Sequence, residues 1–315
     1  MKKIFANIVC AFVPSRAARH NVRRRMLAGP APAEAESGRE NPAAAVAEIK
    51  NDLYNNTAML WEIKHYAQRA EHLVRRAEHL VRADIAAAAL HRDTFAGCKN
   101  KFAGRDVVLI ATGPSFSKFK PVPGAIYVGV NRAFAQDKAK LDYLFIQDGE
   151  FRDTGLFEKA GEYPCEKFYG IMRPGLMPER KYTISESEAV RHNAKRFYLN
   201  VSWDPIFRAE PLDFPFDISV QPLVAATTVA VSAMQFILYG NPRRIYLVGC
   251  DCSTAGHFDK KSQTQEVRDN NDYSDHLSDE WRKIKEFADA FYPETEIISV
   301  NPVGLKGLFK DEYSA

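Results

Sequence analysis

Short apolar runs and amphipathic stretches alternate along the chain from about residue 106 onward. The apolar runs are rich in β-branched residues, which is typical of strands that are buried on both faces. The predicted strands are Asp106–Ala111, Ala125–Val130, Tyr143–Ile146, Lys167–Ile171, Arg196–Val201, Arg244–Gly249 and Glu296–Val300. Helical spacing predicts helices at Asn131–Lys140, Ala226–Tyr239 and Ser278–Phe291. This alternation predicts an α/β, Rossmann-like fold in which helices cover both faces of a mainly parallel sheet.

The part of the chain before this region has a purely helical pattern. From about Ala45 to Leu90 there is no Gly or Pro, and the heptad RAEHLVR occurs twice in succession, at 69–75 and 76–82. An apolar repeat of seven residues predicts a coiled coil or a helical hairpin, and a long helix packed on its own domain is the alternative. A homo-oligomer that forms through residues 45–90 is the partner prediction that follows.

The N-terminal end combines an apolar run with basic residues. Ile4–Val13 is about half as long as a membrane-spanning helix. Pro14 and a basic cluster follow it, where a signal peptide would have a small-residue cleavage site. Residues 1–25 contain no acid, and their basic residues are Lys2, Lys3, Arg16, Arg19, Arg23, Arg24 and Arg25. This segment is predicted either to lie on an anionic membrane surface or to be a disordered basic tail.

The amino-acid composition restricts the class of protein and the cellular compartment in which it is expected. The chain has 315 residues, 46% of them hydrophobic, and a net charge of +3, which excludes collagen-like and largely disordered proteins and gives no indication of nucleic-acid binding. Its five scattered cysteines predict that the protein works in a reducing cytoplasm and has no metal site. Within the cytoplasm it is predicted to be either free or peripheral on the inner face of the inner membrane. An Ala- and Pro-rich linker completes the predicted domains, which are a tail and linker at 1–44, a helical spacer at 45–98 and an α/β catalytic domain at 99–315.

Residues that follow the strands are the candidates for function, because parallel sheets bind ligands beyond the carboxyl ends of their strands. The first strand runs into Thr112, Gly113, Pro114 and Ser115. Glycine permits close approach to a ligand, and a helix after the proline would offer N–H groups to an anion. The turn is neither a G-x-G-x-x-G fingerprint nor a Walker motif. The next two strands are followed by Asn131 and Asp148, which are further candidates. Asn131 either caps a helix or binds a nucleotide.

The second half of the chain supplies the remaining candidates. Thr227 and Thr228 precede an apolar helix, where hydroxyls either cap the helix or hold a phosphate. The candidates in the two polar segments that follow are Asp251, Ser253, His257, Tyr273 and His276. A histidine in a polar loop suits a general base, because its unperturbed pKa lies near neutral pH. Residues 149–166 and 172–193 are predicted to form loops or a lid over the crevice.

The order of these segments resembles the bacterial family-42 sialyltransferases. The segments are VLIATGPS, GVNRAF, RIYLVGCD, DNNDYSDH and IISVNP, spread over about residues 105–302. The family has an Asn-Gly-Pro-Ser turn after its first strand, an Asn after its second, an I-Y-L-x-G-x-D strand and a Tyr-x-x-His segment. The G-P-S and G-x-D strand ends also look like those of the 6-hydroxymethylpterin diphosphokinase-like domain. The whole arrangement is similar to proteins of bacterial surface-polysaccharide gene clusters.

The resemblance implies roles for individual residues. It implies that His276 takes the proton of the acceptor hydroxyl, with Tyr273 three residues before it, and that the nucleotide is contacted by Gly113, Pro114, Ser115, Asn131, Thr227 and Thr228. Three features depart from the family. Thr112 stands where the family has Asn, Ala225 and Ala226 stand where it has Arg, and its paired tyrosines are replaced by Ser253 and His257.

The predicted function is that of an inverting glycosyltransferase. It would move a sugar from a nucleotide-activated, CMP-linked donor to a glycan acceptor in surface polysaccharide or lipopolysaccharide synthesis. No Asp-x-Asp motif, the metal handle of many such enzymes, is present, so no metal cofactor is expected. One alternative is ATP-dependent diphosphokinase or phosphotransferase chemistry with Mg²⁺ on Asp148 and Asp251. The other is a non-catalytic nucleotide-binding scaffold.

Overall fold

The computed structural model describes residues 42–147, 155–172, 184–201, 214–253, 256, 258 and 271–314. Within them, nine parallel strands form one sheet. In chain order they are β1 (Asp106–Ile110), β2 (Ile126–Val130), β3 (Tyr143–Ile146), β4 (Glu166–Met172), β5 (Lys195–Val201), β6 (Leu223–Ala225), β7 (Arg244–Val248), β8 (Glu296–Val300) and β9 (Lys310–Glu312). The helices are α1 (Pro42–Phe95), α2 (Leu156–Glu162), α3 (Glu186–Arg191), α4 (Val229–Tyr239) and α5 (Asn271–Phe291). The predicted α/β, Rossmann-like fold with a long N-terminal helical segment is confirmed.

The order of the strands reverses between β1 and β7. Across the sheet the order is β6-β5-β4-β3-β2-β1-β7-β8-β9, so the chain first builds outward from β1 on one side and then returns to build on the other. Ile110 at the end of β1 is level with Val248 at the end of β7. In open parallel sheets the crevice for ligands lies at such a reversal, beyond the carboxyl ends of the strands. The topology therefore marks the segments after β1 and β7.

Two hydrophobic cores cover the two faces of the sheet. One contains α4, the buried side of α5 with Trp281 and Ile284, and a group of aromatic rings around Phe236. The other contains α2, α3 and a 3₁₀ turn at Pro114–Lys118 that buries Phe116. The turn after β1 therefore packs on one face of the sheet, and helix α5, which follows β7, packs on the other.

Helix α1 spans two compact units of the chain, Met1–Leu80 and Val81–Ala315. The last turns of α1 belong to the second unit, where Ala87, His91 and Phe95 are fully buried. The His91 ring bridges two backbone groups, because its Nδ1 lies 2.8 Å from the Ile218 carbonyl oxygen and its Nε2 accepts from Tyr198 N at 2.8 Å. The compact division at 80/81 thus differs from the predicted boundary at 98/99. None of the described helices combines the length and apolarity needed to cross a bilayer.

The boundaries of several elements differ from the predicted ones. Strands β6 and β9 were not predicted, because three residues are too few to form a pattern. Helices α2 and α3 lie where only loops were predicted. The predicted helix Asn131–Lys140 is wrong, since only a 3₁₀ turn forms, at Asn131–Ala135. The Gln136 side chain ends that turn by accepting from the backbone N–H groups of Lys138 and Ala139, which competes with a helical ladder.

Candidate functional site

The turn after β1 is held by the carboxylate that follows β7. Ser115 donates both its backbone N–H, at 2.8 Å, and its hydroxyl to Asp251, which is 7% exposed. Gly113 N also donates to the carbonyl oxygen of Gly249 at 2.8 Å. The predicted residues Gly113, Ser115 and Asp251 are thus brought together at the point where the strand order reverses.

Gly113 is required by the close approach of Asp251. A Cβ at this position would lie 2.5 Å from Asp251 Cγ and 2.5 Å from the Gly249 carbonyl oxygen. The predicted reason for the glycine was close approach of a ligand, whereas in the structure the space belongs to a side chain of the protein itself. Pro114 follows as the first residue of the 3₁₀ turn. The conformation of the turn is therefore fixed within the protein.

The segment after β7 is itself tightly constrained. Gly249 and Cys252 have positive φ angles, +67° and +44°, so the backbone bends sharply on either side of Asp251. The carbonyl oxygen of Asp251 accepts from Gly304 N at 2.8 Å, which fastens the segment to the chain after β8. On the other side, Thr112 accepts through its carbonyl oxygen from Phe258 N at 2.7 Å. The segments after β1, β7 and β8 therefore meet around Asp251.

Lys138 holds the far end of the 3₁₀ turn. Its ammonium group donates to the carbonyl oxygens of Phe116, Ser117 and Phe119, and it lies 5.3 Å from the centre of the Phe116 ring. A cation is favourable at the carboxyl end of a turn, where several carbonyl oxygens point outward. The Pro114–Lys118 turn is thus fixed at both ends, by Asp251 and by Lys138.

Helix α5 reaches the same edge of the sheet. The Cys252 thiol, next to Asp251, is hydrogen-bonded to Trp281 of α5, and burial raises its pKa to about 12, with the charges of Asp251 and Glu280 acting in the same direction. Glu280 in turn accepts from Thr227 N at 2.8 Å and from Thr227 Oγ1 at 2.6 Å. One series of contacts therefore joins the segment after β7, helix α5 and the start of α4.

The two threonines before α4 have different roles in the structure. Thr228 is the N-cap of α4, and its hydroxyl accepts from Ala230 N at 3.3 Å. The sequence left two roles open for Thr228, capping and phosphate binding, and its geometry shows capping. The backbone N–H and the hydroxyl of Thr227 both donate to Glu280, so in this structure a carboxylate occupies the position proposed for a phosphate.

His276 and Tyr273 lie inside a helix. The sequence placed them in a polar loop ahead of a helix beginning near Ser278, and this is corrected, because α5 begins at Asn271. Their side chains lie outside the described part of the structure, as do Asp148 and His257 entirely. The backbone of His276 is one helical turn before Glu280, the residue that contacts Thr227. The turn of α5 that carries His276 therefore directly precedes the turn that contacts Thr227 and Cys252.

Two further predicted residues can be placed. Asn131 follows β2 and opens the 3₁₀ turn with a φ of +47°, a left-handed conformation that Asn tolerates better than most residues. The N-cap position of that turn is Val130, without a side-chain cap, so the structure shows no capping by Asn131. Ser253 is half-buried and directly follows Cys252.

Sequence reasoning missed three residues of this site. Glu280 lies within a helix, Gly249 ends a strand that was correctly predicted, and Gly304 is about 50 residues from the carbonyl group it contacts. Only Gly249 had a local signal, since a glycine after an apolar strand indicates a sharp bend. Among the described residues, no three His, Cys, Asp or Glu side chains converge on one point as a metal site would require.

Comparison with known proteins gives limited similarity. No protein-family model matches the chain, and no curated protein matches it. A crystal structure of the sialyltransferase CST-II in complex with a trisaccharide acceptor and CMP is similar at 13% identity and a TM-score of 0.36, over 62% of this chain and 80% of that chain. A Tyr-to-Phe variant of CST-II in complex with CMP is similar at 14% identity and a TM-score of 0.37, over the same shares. At these values the similarity assigns no residue a role, and the function must be argued from this chain's own geometry.

Proposed function

We propose that this protein is a glycosyltransferase that transfers a sugar from a CMP-linked donor to a glycan acceptor with inversion of configuration. The observation that carries the proposal is the convergence at the strand reversal. There Ser115 is fixed by Asp251, and α5 contacts the neighbouring Cys252 through Trp281 and Thr227 through Glu280. The order of the sequence motifs suggests a nucleotide-binding turn and a general base, and these contacts support the proposal that the turn after β1 and helix α5 serve one site.

The chemistry requires one base and one group of anion-binding donors. His276 takes the proton from the acceptor hydroxyl, and the oxygen then attacks the anomeric carbon from the side opposite the phosphate. The bond between that carbon and the phosphate oxygen breaks, and CMP leaves with the electron pair. Donors near the phosphate stabilise the charge that develops on it. The hydroxyl of Thr228 is the proposed source of one such donor. The Gly113 turn, whose Gly113 and Ser115 donors are engaged with Gly249 and Asp251, is proposed to shape the site.

The proposed mechanism uses no metal ion. The Asp251 carboxylate, which the phosphotransferase alternative would assign to Mg²⁺, accepts two hydrogen bonds from Ser115 and is buried. Its geometry therefore supports an organising role for this carboxylate. We further propose that the protein acts in the cytoplasm, on the inner face of the membrane where its basic N-terminal tail would contact anionic lipids.

Ligand binding tests the proposed nucleotide. The full-length protein is titrated with CMP, UDP and ATP, each with EDTA and with Mg²⁺, while its thermal unfolding is recorded. We expect CMP to stabilise the protein equally in both conditions. Stabilisation by ATP that needs Mg²⁺ would support the phosphotransferase instead. Absence of stabilisation by all three nucleotides would contradict the proposal.

Replacement of the proposed base tests the reaction. CMP release from CMP-sialic acid is measured with a panel of glycan acceptors, for the native protein and for His276→Ala. We expect the rate to fall by about 100-fold or more, with CMP binding unchanged. The control is His72→Ala, because His72 is exposed on α1 and should not affect the rate. Near-native transfer by His276→Ala would remove this assignment, and binding of CMP without release by the native protein would favour the scaffold.

A further inference from the structure

Large apolar side chains are exposed along one helix. In the part of α1 before Leu80, the exposed fractions are 51% for Val46, 66% for Leu60, 57% for Leu73 and 58% for Val74. An isolated helix gains little stability in water without an apolar face packed against something. Exposed apolar side chains that recur along one face of a helix mark an interaction site.

The stripe follows a strict seven-residue repeat. With Val46 as the first a position, the a residues are Val46, Leu53, Leu60, Ala67 and Val74, and the d residues are Ile49, Asn56, Ile63, Ala70 and Ala77. Apolar residues at a and d are the pattern of a left-handed coiled coil, in which side chains of one helix fit between those of the other. Trp61 is at position b, outside this stripe, where its ring stacks on His65 at a centroid distance of 5.6 Å.

We propose that the a and d stripe binds the same stripe of a second copy of this chain, with the two helices antiparallel. The residues beside the stripe decide the direction. The e positions are basic in the first half, with Lys50 and Lys64, and acidic in the second half, with Glu71 and Glu78. In an antiparallel pair e faces e, so the basic half of one helix meets the acidic half of the other. Opposite charges at these positions select partner and orientation.

The g positions favour the same direction. They are Asp52, Met59, Tyr66, Leu73 and Leu80, so this edge of the stripe is apolar except at Asp52. Antiparallel helices place g beside g, which joins these apolar edges. Parallel helices would place g beside e, with Lys64 against Met59 and Glu71 against Tyr66 of the other copy. Burying a charge against an apolar side chain without a partner is costly, which disfavours the parallel pair.

One register satisfies both packing and charge. It sets Leu60 opposite Ile63, Leu53 opposite Ala70 and Val46 opposite Ala77, which puts most of the alanines opposite a large residue. The same register sets Lys50 opposite Glu71, twice by symmetry. A shift by one heptad in either direction brings a lysine opposite a lysine of the other copy, either Lys64 with itself or Lys50 with Lys64. The stripe is thus self-complementary, which identifies a second copy as its occupant.

The oligomeric state of the protein tests whether the a and d stripe mediates dimerisation. Analytical ultracentrifugation of the full chain should show a dimer, and Leu60→Glu should weaken it by at least about 100-fold, because each dimer would bury two unpaired charges. The matched control is Trp61→Glu, since Trp61 is 68% exposed on the same helix but outside the stripe. Far-UV circular dichroism and the unfolding of the α/β unit confirm that each variant folds.

Charge reversal tests the direction and the register. Lys50→Glu should weaken the dimer by about tenfold, and Lys50→Glu combined with Glu71→Lys should restore it. Glu71 also pairs with Arg75 of its own helix at 2.7 Å, so Glu71→Lys is measured alone as well. A monomeric native chain, which would result if residues 1–41 covered the stripe, would overturn the proposal. So would a dimer that survives Leu60→Glu, equal weakening by Trp61→Glu, or no recovery in the double variant.

Discussion

A single buried carboxylate organises the residues around the strand reversal. Asp251 accepts from the backbone and the hydroxyl of Ser115 through its side chain and from Gly304 through its backbone. A hydrogen bond to a charged group contributes about 1.5–3 kcal/mol, and a buried carboxylate without such bonds would be unfavourable. The turn after β1 and Asp251 therefore depend on each other.

Replacement of Asp251 should affect both stability and nucleotide binding. In Asp251→Asn the side chain keeps its shape but loses its charge, so the charge-assisted hydrogen bonds with Ser115 are replaced by weaker neutral ones. We expect the free energy of unfolding to fall by about 2 kcal/mol and CMP binding to be lost. Urea unfolding and calorimetric titration measure the two effects. Asp279→Asn, at a carboxylate of α5 that is nearly half exposed, should change neither. Native behaviour of Asp251→Asn would contradict this role.

Glu280 is expected to position helix α5 relative to Thr227. Glu280→Gln keeps an Oε1 acceptor for the two Thr227 donors, whereas Glu280→Ala removes it. We expect kcat to fall at least about tenfold in Glu280→Ala with KM for the donor little changed, and to recover largely in Glu280→Gln. Glu286→Ala, at an exposed position of the same helix, is the control. Equal kinetics of the Glu280→Ala and Glu286→Ala variants would exclude a positioning role.

At the scale of elements, strands buried on both faces were the most predictable. β1, β7 and β8 were recognised within a residue, because each is a continuous apolar run. Contacts distant in sequence were not predictable. Nothing near His91 indicates that its ring joins the carbonyl group of Ile218 to the N–H group of Tyr198. The contacts of Glu280 with Thr227 and of Gly304 with Asp251 were missed for the same reason, since local patterns carry no information about distant partners.

The anchoring of α1 through His91 should make the stability of the α/β unit depend on pH. Burial lowers the pKa of His91 below 6.5, although the hydrogen bond to the Ile218 carbonyl group opposes this effect. Protonation would place an N–H group against the N–H group of Tyr198, so the folded state resists it. Below pH 6.5 the unfolded chain binds more protons, and stability should therefore fall with falling pH, by at most about 1.4 kcal/mol per pH unit.

Urea unfolding at a series of pH values checks this dependence. The native protein should lose stability below pH 6.5, and the loss should end as the pH passes the lowered pKa of the folded state. His91→Gln should be less stable at neutral pH but should show a smaller slope below pH 6.5. His72→Ala, at an exposed position of α1, should keep the native slope. Equal slopes for native protein and His91→Gln would show that other groups cause the dependence.

At the scale of the whole molecule, the two compact units carry different tasks. The strand reversal, Asp251 and helix α5 all belong to Val81–Ala315, whereas the apolar stripe proposed for self-association lies before Leu80. The residues of the proposed nucleotide site all belong to Val81–Ala315. Ligand binding stabilises the state that binds the ligand and leaves an independent unit unchanged.

Thermal unfolding should therefore separate the two tasks. Saturation at a hundred times the dissociation constant stabilises the binding unit by about 2.7 kcal/mol, so CMP should raise its transition by about 5–10 °C. Near-UV circular dichroism follows this unit through the buried Trp281. The helical transition, followed in the far ultraviolet, should rise with protein concentration but not with CMP. Asp251→Asn should abolish the rise of the Val81–Ala315 transition with CMP. Leu60→Glu should abolish the dependence of the helical transition on protein concentration. A helical transition that moved with CMP would show that the units are coupled.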